Sequence, residues 1–273
     1  MRFFIRLSFH GANYSGWQIQ QNANSVQAQL ERALSVYIGE NIGVCGAGRT
    51  DAGVHGINYV AHFDSQHLDF SQKHKACVYK LNAILPADIT VHAITPVDEQ
   101  AHARFDATQR SYAYYIHCQK HPFLSDVSTF LPYTPDIEAM NRAASFLLGT
   151  HDFTSFAKLH GGAKTNICTL TEARWEVLNK TCGEALYGSI DKTTAFPAHL
   201  LPPEAFVFRI SSDRFLRNMV RSIVGSLLEI GRGKRPESEI LDVLAKKSRS
   251  AAGNSVAARG LFLTNIEYPY PIA

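Results

Sequence analysis

The chain has 273 residues, which suggests one large domain or two medium ones and allows roughly three quarters of the unfolded surface to be buried. Apolar residues make up 45% and charged residues 19%, as in ordinary globular proteins, and no run approaches the ~20 apolar residues that span a bilayer. The formal net charge of +3 is too small to identify a partner. Because charge returns at Arg6 after only three apolar residues, we expect no signal peptide, and the free cysteines described below lead us to expect a cytoplasmic protein.

The cysteines indicate free thiols. Their number is odd and no Cys-x-x-Cys pair occurs, which argues against a disulfide framework and a zinc ribbon. They are Cys45, Cys77, Cys118, Cys168 and Cys182. His117, Cys118 and His121 are close in sequence, but a fourth ligand is missing, so we predict that the protein holds no metal.

The first half of the chain alternates strand and helix patterns. Phe3, Ile5, Leu7 and Phe9 alternate with polar residues, which predicts a half-buried strand. After a loop over 11–24, helical spacing predicts a helix from 26 to 38, with Asn24 and Gln27 as its N-cap pair and Gly39 after its last turn. The remaining predicted elements are a strand near 59–64, a helix over about 71–85 and a strand near 89–97.

The second half repeats this theme. The pattern predicts a strand over 111–118, a helix over 136–148 that stops at Gly149, a strand near 171–178 and a loop or insertion over 179–204. A strand near 206–211, helices over 214–230 and 236–247, and a last strand over 261–268 follow. Each half is approximately a strand–helix–strand unit used twice, so we predict an α+β sheet with helices on one face and domains at 1–100 and 101–273.

A glycine-rich loop over 46–56 separates the first helix from the next strand. Its four glycines surround Arg49 and Asp51, which suits a carboxylate held where another molecule comes close. The dinucleotide fingerprint fails because Asp51 stands where a third glycine is needed, and no Gly-Lys-Ser/Thr follows. By spacing alone, a carboxylate site and a tight turn with solvated charges are equally supported.

Basic residues are concentrated late in the chain. The stretch from Arg209 to Arg235 contains seven basic residues and only two acidic ones. The seven are Arg209, Arg214, Arg217, Arg221, Arg232, Lys234 and Arg235. Such a cluster is typical of a surface that binds a polyanion, although a solvated helix face has the same composition. On the predicted helix over 214–230, Arg214, Arg217 and Arg221 lie beside the edge of the apolar stripe.

Several motifs, in the right order, resemble the TruA family of tRNA pseudouridine synthases along nearly the whole chain. They are residues 14–20 (YSGWQIQ), 48–56 (GRTDAGVHG), 102–114 (HARFDATQRSYAY), 151–156 (HDFTSF) and 215–225 (FLRNMVRSIVG). The chain departs from the family pattern in two places. The stretch 179–204 is longer than the family's connection, and 254–260 fits the family's C-terminal motif only loosely.

The resemblance implies two ferredoxin-like halves that form one extended, mostly antiparallel sheet with a central active-site cleft. It implies a homodimer that binds tRNA and isomerises uridine to pseudouridine in the anticodon stem-loop, at tRNA positions 38, 39 and 40. It also implies that neither a metal nor a nucleotide cofactor is required.

The resemblance assigns roles to individual residues. Asp51 is the catalytic carboxylate, which either attacks C1′ of the ribose or helps to form a glycal, and Arg221 is its ionic partner. Tyr112 stacks on the flipped base and relays a proton, since a uridine inside a stem or stacked loop must be extruded. Arg49 holds a phosphate or displaces the base. Substrate binding also involves Arg110 and Arg217.

Two other functions remain open at this level. A tRNA-binding module without catalysis would bind tRNA and form no pseudouridine, but binding alone does not need the acid. A hydrolase with paired carboxylates needs a second acid, for which Asp64 or Asp106 would have to fold close to Asp51.

Overall fold

A computed structural model describes residues 1–66, 74–158, 164–178, 202 and 204–272. The chain forms two compact units, Met1–Gln109 with Leu263–Ala273, and Arg110–Phe262. Within the described residues, helices and mainly antiparallel strands occur in both units, and the predicted α+β class is confirmed. Among the described residues, every helix is too short or too polar to span a bilayer. Most of the predicted insertion over 179–204 lies outside the described residues.

The first unit has the ferredoxin-like order of strands and helices. Its elements are β1 (Arg2–Phe9), α1 (Val26–Ile38), β2 (Val44–Gly46), β3 (His55–Asp64), α2 (His74–Ile84) and β4 (Ile89–Val97). The strands are arranged β4-β1-β3 with β2 paired to β3, and each of these pairs is antiparallel. In this β-α-β-β-α-β arrangement β2 and β3 are neighbours, so the loop over 46–56 connects two paired strands directly.

The alternation in β1 forms the core of this unit. Phe3, Ile5 and Leu7 are fully buried, and Phe3 lies opposite Phe63 of β3 with the two rings stacked 5.4 Å apart. Because β1 pairs with strands on both edges, its backbone hydrogen bonds are satisfied on both sides. The predicted strand is confirmed with nearly the predicted bounds.

The predicted N-cap of α1 is wrong by one residue. Ser25 caps the helix and accepts a hydrogen bond from the Ala28 N–H at 3.3 Å. The amide of Gln27 is used elsewhere, since it donates to the Val44 carbonyl at 2.9 Å. Gly39 ends the helix with φ of +81°, as predicted. The three-residue strand β2 was not predicted because it is too short to show alternation.

The second unit contains the other strand pairings. Its elements are β5 (Gln109–His117), β6 (Thr129–Phe130), α3 (Ile137–Ser145), β7 (Gly149–Asp152), β8 (Ile167–Val177), β9 (Ala205–Ser212), α4 (Met219–Gly231) and α5 (Glu239–Lys246). The strand order is β5-β9-β8-β7, and the short β6 runs parallel to β5. The last strand, β10 (Leu261–Glu267), begins at the end of this unit and continues beside β3.

Strand β5 departs from the expected alternation. Every residue from Ala113 to His117 is buried, so both faces of this part of the strand are covered. Tyr115 packs edge-on against Phe262, with ring centroids 5.3 Å apart. Tyr112 lies near the less buried start of the strand, opposite Ile210 of β9.

Helix α4 begins later than the sequence predicts. Asn218 has a φ of +66°, which is incompatible with a continuous helix through this position, and the helix starts at Met219. Arg214 and Arg217 therefore precede the helix, and the prediction that they share a helical face with Arg221 is wrong. Helix α3 is shorter than predicted, with Asp136 as its N-cap accepting from the Ala139 N–H at 2.9 Å.

Candidate active site

The loop that carries Asp51 joins β2 to β3 in the first unit and is held by the segment 14–17. The Trp17 N–H donates to the Thr50 hydroxyl at 3.1 Å, and the Gly53 N–H donates to the Tyr14 carbonyl at 3.3 Å. Thr50 is buried, Asp51 beside it is half-buried and Arg49 is exposed. A tight turn with solvated charges does not need such anchoring on both sides of the carboxylate. The geometry therefore favours the other interpretation of this loop, a binding site that holds a carboxylate.

Gly16 allows this close contact between the two segments. Its φ of +99° suits glycine, and an added Cβ would collide with the Thr50 carbonyl oxygen. On the other side of the segment, the buried Tyr14 donates its hydroxyl to Asp88 Oδ1 at 2.5 Å. Burial and this hydrogen bond raise the pKa of Tyr14, so its hydroxyl keeps its proton. The motif over 14–20 thus holds the loop in place through backbone contacts and hydrogen bonds.

The glycines of the loop have different roles. At Gly46 an added Cβ would collide with Tyr59 and Trp17, whose rings stack 4.1 Å apart, so this glycine serves internal packing. At Gly48 an added Cβ would meet no atom within 4 Å. The Tyr59 hydroxyl donates to the Gly48 carbonyl. Open space therefore lies beside Gly48, immediately before Arg49.

His55 has a positioning role that the sequence left ambiguous. Its side chain is buried, and Nδ1 accepts a hydrogen bond from the Gly11 N–H at 3.0 Å. The ring lies 4.5 Å from that of His10. Since a buried acceptor is costly to leave unpaired, His55 fixes the loop's exit into β3.

In the second unit, two of the predicted site residues lie at the start of β5. The Tyr112 ring is half-buried and packs edge-on against Phe215, with centroids 5.0 Å apart. Arg110 donates through Nη1 to the Asp213 carbonyl at 2.9 Å. The structure thus places Arg110 and Tyr112 on one strand, next to the turn that contains Asp213 and Phe215.

Arg221 lies in the first turn of α4 and is held by the segment that follows α5. Its Nε donates to the Val256 carbonyl at 2.7 Å, and the Val256 N–H donates to the Arg221 carbonyl at 3.2 Å. Gly225 permits this contact, because an added Cβ would collide with the Asn254 carbonyl. The stretch 254–260, which fits the family pattern loosely, includes the residue that fixes Arg221.

Tyr114, two residues after Tyr112, is part of the core and not of the accessible surface. It is fully buried, and its hydroxyl donates to the Ala257 carbonyl at 2.8 Å and bonds to the Thr129 hydroxyl at 2.7 Å. Burial raises the pKa of Tyr114 to about 12, although the charges of Arg221 and Arg259 oppose this rise.

Three of the seven basic residues between 209 and 235 make charge contacts within the second unit. Arg209 pairs with Glu176 at 2.8 Å, and Arg235 pairs with Glu229 at 2.6 Å. The Arg232 guanidinium lies over the Tyr133 ring, 4.9 Å from its centroid. Arg217 is exposed. Arg209, Arg232 and Arg235 are therefore engaged within the protein, and a polyanion-binding surface in this run stays a prediction that depends on its other basic residues.

A cluster that the sequence analysis missed lies in the first unit. Cys45, His62 and His102 bring one potential ligand atom each within 4.8 Å of one another. The Nδ1 atom of His62 accepts from the Ala103 N–H, and that of His102 accepts from the Arg104 N–H. Neutral rings in this tautomer carry their proton on Nε2, which disfavours metal binding at that atom. The residues come from distant positions, so spacing gave no signal.

Comparison with known proteins agrees with the family motifs found in the sequence. Residues 143–269 match a family profile described as tRNA pseudouridine synthase. The chain is 44% identical over 268 residues to tRNA pseudouridine synthase A of Porphyromonas gingivalis, covering 98% of this chain and 97% of the relative. It is 46% identical over 271 residues to the enzyme of the same name from Bacteroides thetaiotaomicron, covering 99% and 92%. The chain belongs to the tRNA pseudouridine synthase family. A relative from Anoxybacillus flavithermus is 37% identical and also matches along 98% of both chains, so the similarity includes both units.

Proposed function

We propose that this tRNA pseudouridine synthase isomerises uridines of the anticodon stem-loop, at tRNA positions 38, 39 and 40, with Asp51 as nucleophile. Family membership makes the chain an isomerase that acts on tRNA. The observation that carries the assignment of Asp51 is its anchored loop, in which Thr50 and Gly53 are held by the segment 14–17 on both sides of the carboxylate.

The chemistry suits a carboxylate. In the proposed route, Asp51 attacks C1′ as the bond between C1′ and N1 of uracil breaks. The uracil turns and its C5 bonds to C1′ as the carboxylate leaves, after which C5 loses its hydrogen as a proton and N1, freed from C1′, takes up a proton. The atoms of the product are those of the substrate, with no net oxidation or reduction. The reaction therefore requires no nucleotide cofactor or group donor.

The other predicted site residues handle the extruded base and the RNA backbone. Tyr112 is half-buried, which leaves part of its ring available for stacking on a flipped uracil. The exposed guanidinium groups of Arg49 and Arg217 suit phosphate contacts, with Arg110 beside Tyr112 on β5. The role of Arg221 as ionic partner of Asp51 stays a prediction from the family resemblance. We also propose that the enzyme acts as a homodimer in the cytoplasm, on the same basis.

Release of tritium from tRNA labelled at C5 of uridine tests the role of Asp51. Asp51→Asn keeps the size of the side chain and removes the nucleophile, so we expect the rate to fall by at least about 1,000-fold. Binding of tRNA should stay within a few-fold of the wild type. Asp126→Asn, at an exposed aspartate of the second unit, is the matched control and should retain full activity.

Two results would contradict the proposal in different ways. Unchanged release by Asp51→Asn would exclude Asp51 from the mechanism. Normal tRNA binding by the wild type without any release would instead favour a binding module without catalysis.

A further inference from the structure

An exposed aromatic ring lies on the turn between β4 and β5, outside the loop of Asp51. Phe105 is 74% exposed, so most of its ring surface is accessible to a ligand. Its neighbour Arg104 is also exposed. The predicted mechanism gives neither residue a role.

The turn over 102–106 is rigid because its backbone is hydrogen-bonded to its own side chains. Nδ1 of His102 accepts from the N–H groups of Arg104 and Phe105, at 3.1 and 3.2 Å. The Asp106 carboxylate accepts from the His102 N–H at 2.8 Å, and the Asp106 N–H donates to the His102 carbonyl at 3.1 Å. These bonds fix the direction in which Phe105 leaves the surface.

Hydrogen bonds from other parts of the first unit also hold this turn in place. The Ala103 N–H donates to Nδ1 of the buried His62 at 3.1 Å. The hydroxyl of Tyr268 donates to the Ala103 carbonyl at 2.6 Å, and that of Tyr270 donates to Asp106 at 2.7 Å. The conformational entropy of ordering this turn is therefore already lost before any ligand binds.

The exposed ring has the surroundings of a stacking site. Phe105 lies against the His102 ring, with centroids 4.3 Å apart and an angle of 31° between the planes. The Arg104 guanidinium carbon is 5.6 Å from the centroid of Phe105. Single-stranded RNA is bound by this combination, in which aromatic rings stack on unpaired bases and arginine contacts the bases or phosphates.

We propose that Phe105 is a stacking platform for an unpaired base of the bound tRNA, with Arg104 contacting the adjoining phosphate. The proposal rests on the proposed function, since it takes tRNA as the ligand. His102 is a positioning residue, because it acts only through the turn that it holds.

The size of the exposed surface favours a base over a second copy of this chain. A stable dimer buries about 800 Å² on each partner, which a single ring between charged residues does not supply. One ring matches the area of one base, and Arg104 adds the charge that an RNA backbone requires.

The test compares Phe105→Ala, Phe105→Leu and Phe105→Trp in the full chain. Binding of an unmodified tRNA transcript is measured by fluorescence anisotropy, and kcat and KM by tritium release. We expect Phe105→Ala and Phe105→Leu to weaken binding and raise KM by roughly 10- to 100-fold with little change in kcat. Phe105→Trp should bind within about twofold of the wild type, because only an aromatic ring replaces the lost stacking.

Three other outcomes would overturn the proposal. Equal affinity in all three variants would show that no base stacks on this ring. Equal losses in all three would assign Phe105 to packing. Dissociation of a dimer by Phe105→Ala in sedimentation equilibrium, with tRNA affinity per chain unchanged, would assign the ring to a second copy. If the wild type binds tRNA but releases no tritium, the proposed function fails while the anisotropy measurements still decide the role of Phe105.

Discussion

His62 shows how a single residue connects the pH dependence of stability to the turn over 102–106. The side chain is buried, and its Nδ1 must stay unprotonated to accept the Ala103 N–H. Burial, with smaller contributions from the neighbouring His102 and Arg2, lowers the pKa of His62 to about 4, against the opposing effect of Asp64 and Asp106. Folding therefore requires a neutral ring at a position where the unfolded chain protonates near pH 6.5.

We predict that acid destabilises the first unit through His62. Between about pH 6.5 and 4 the unfolded chain binds one more proton at this position, so the free energy of unfolding falls by up to about 1.4 kcal/mol for each pH unit. Above pH 6.5 the contribution of His62 is fully present. Urea unfolding of the wild type and His62→Asn at pH 7, 6 and 5 measures it, since the asparagine Oδ1 keeps an acceptor at the position of Nδ1 and does not titrate. Parallel pH dependences in the two proteins would exclude His62 as the cause.

The sequence singled out Asp51 and Arg49 in the glycine-rich loop, but not the residues that support this loop. Asp51 and Arg49 were recognisable from the glycines around them and from the family motif. Thr50, by contrast, accepts from Trp17, which lies 33 residues earlier in the chain, and His55 accepts from Gly11. Such contacts depend on how distant segments fold together, and no local spacing encodes them. For the same reason the cluster of Cys45, His62 and His102 was missed.

At the scale of elements, helix α4 and the segment after α5 pack together and are joined by hydrogen bonds. Gly225 brings Asn254 against the helix, and Val256 exchanges hydrogen bonds with Arg221 through its carbonyl and its N–H. The position of Arg221 therefore depends on a loop that follows it by some 30 residues. A change at that contact should affect stability and catalysis together.

We predict that Gly225→Ala destabilises the protein even though alanine is the better helix former. The added Cβ would collide with the Asn254 carbonyl, and the backbone shift should cost about 1–3 kcal/mol, more than the gain of about 1 kcal/mol in helix propensity. Tritium release should also slow, because Arg221 loses its hold on Val256. Urea unfolding and kcat measure the two effects.

Gly43→Ala is the matched control for this change. An added Cβ at Gly43 meets no atom within 4 Å, and its φ is not in the left-handed region. The free energy of unfolding should stay within about 0.5 kcal/mol of the wild type. A stable and fully active Gly225→Ala would show that the segment after α5 adjusts freely and does not fix Arg221.

Element types were easier to predict than element ends. The strands β1 and β4 agree with the predicted bounds because their apolar residues alternate along most of their length. Helix α4 was predicted to start near Arg214, since Leu216 and Val220 continue the apolar spacing, but the left-handed Asn218 interrupts it. The N-cap of α1 was misplaced because Asn24 and Ser25 are both good capping residues, and only the backbone decides between them.

For the whole molecule, the net charge of +3 does not show which basic residues can contact an external polyanion. Arg209 and Arg235 are engaged in ion pairs with glutamates, so they contribute little to an external polyanion. Arg49, Arg104 and Arg217 are exposed. Affinity for tRNA should therefore depend on a few positions and not on the total number of basic residues.

The salt dependence of tRNA binding separates these two groups of arginines. Each phosphate contact releases bound counterions, so affinity should fall as salt rises, and the slope of log affinity against log salt counts the contacts. Arg217→Gln should reduce the magnitude of this slope by about 0.7–0.9. Arg209→Gln is the matched control, because the Arg209 side chain is only 17% exposed and pairs with Glu176, and the slope of this variant should equal that of the wild type. Equal reductions in both variants would mean that total charge governs binding, and a slope of zero in the wild type would exclude phosphate contacts altogether.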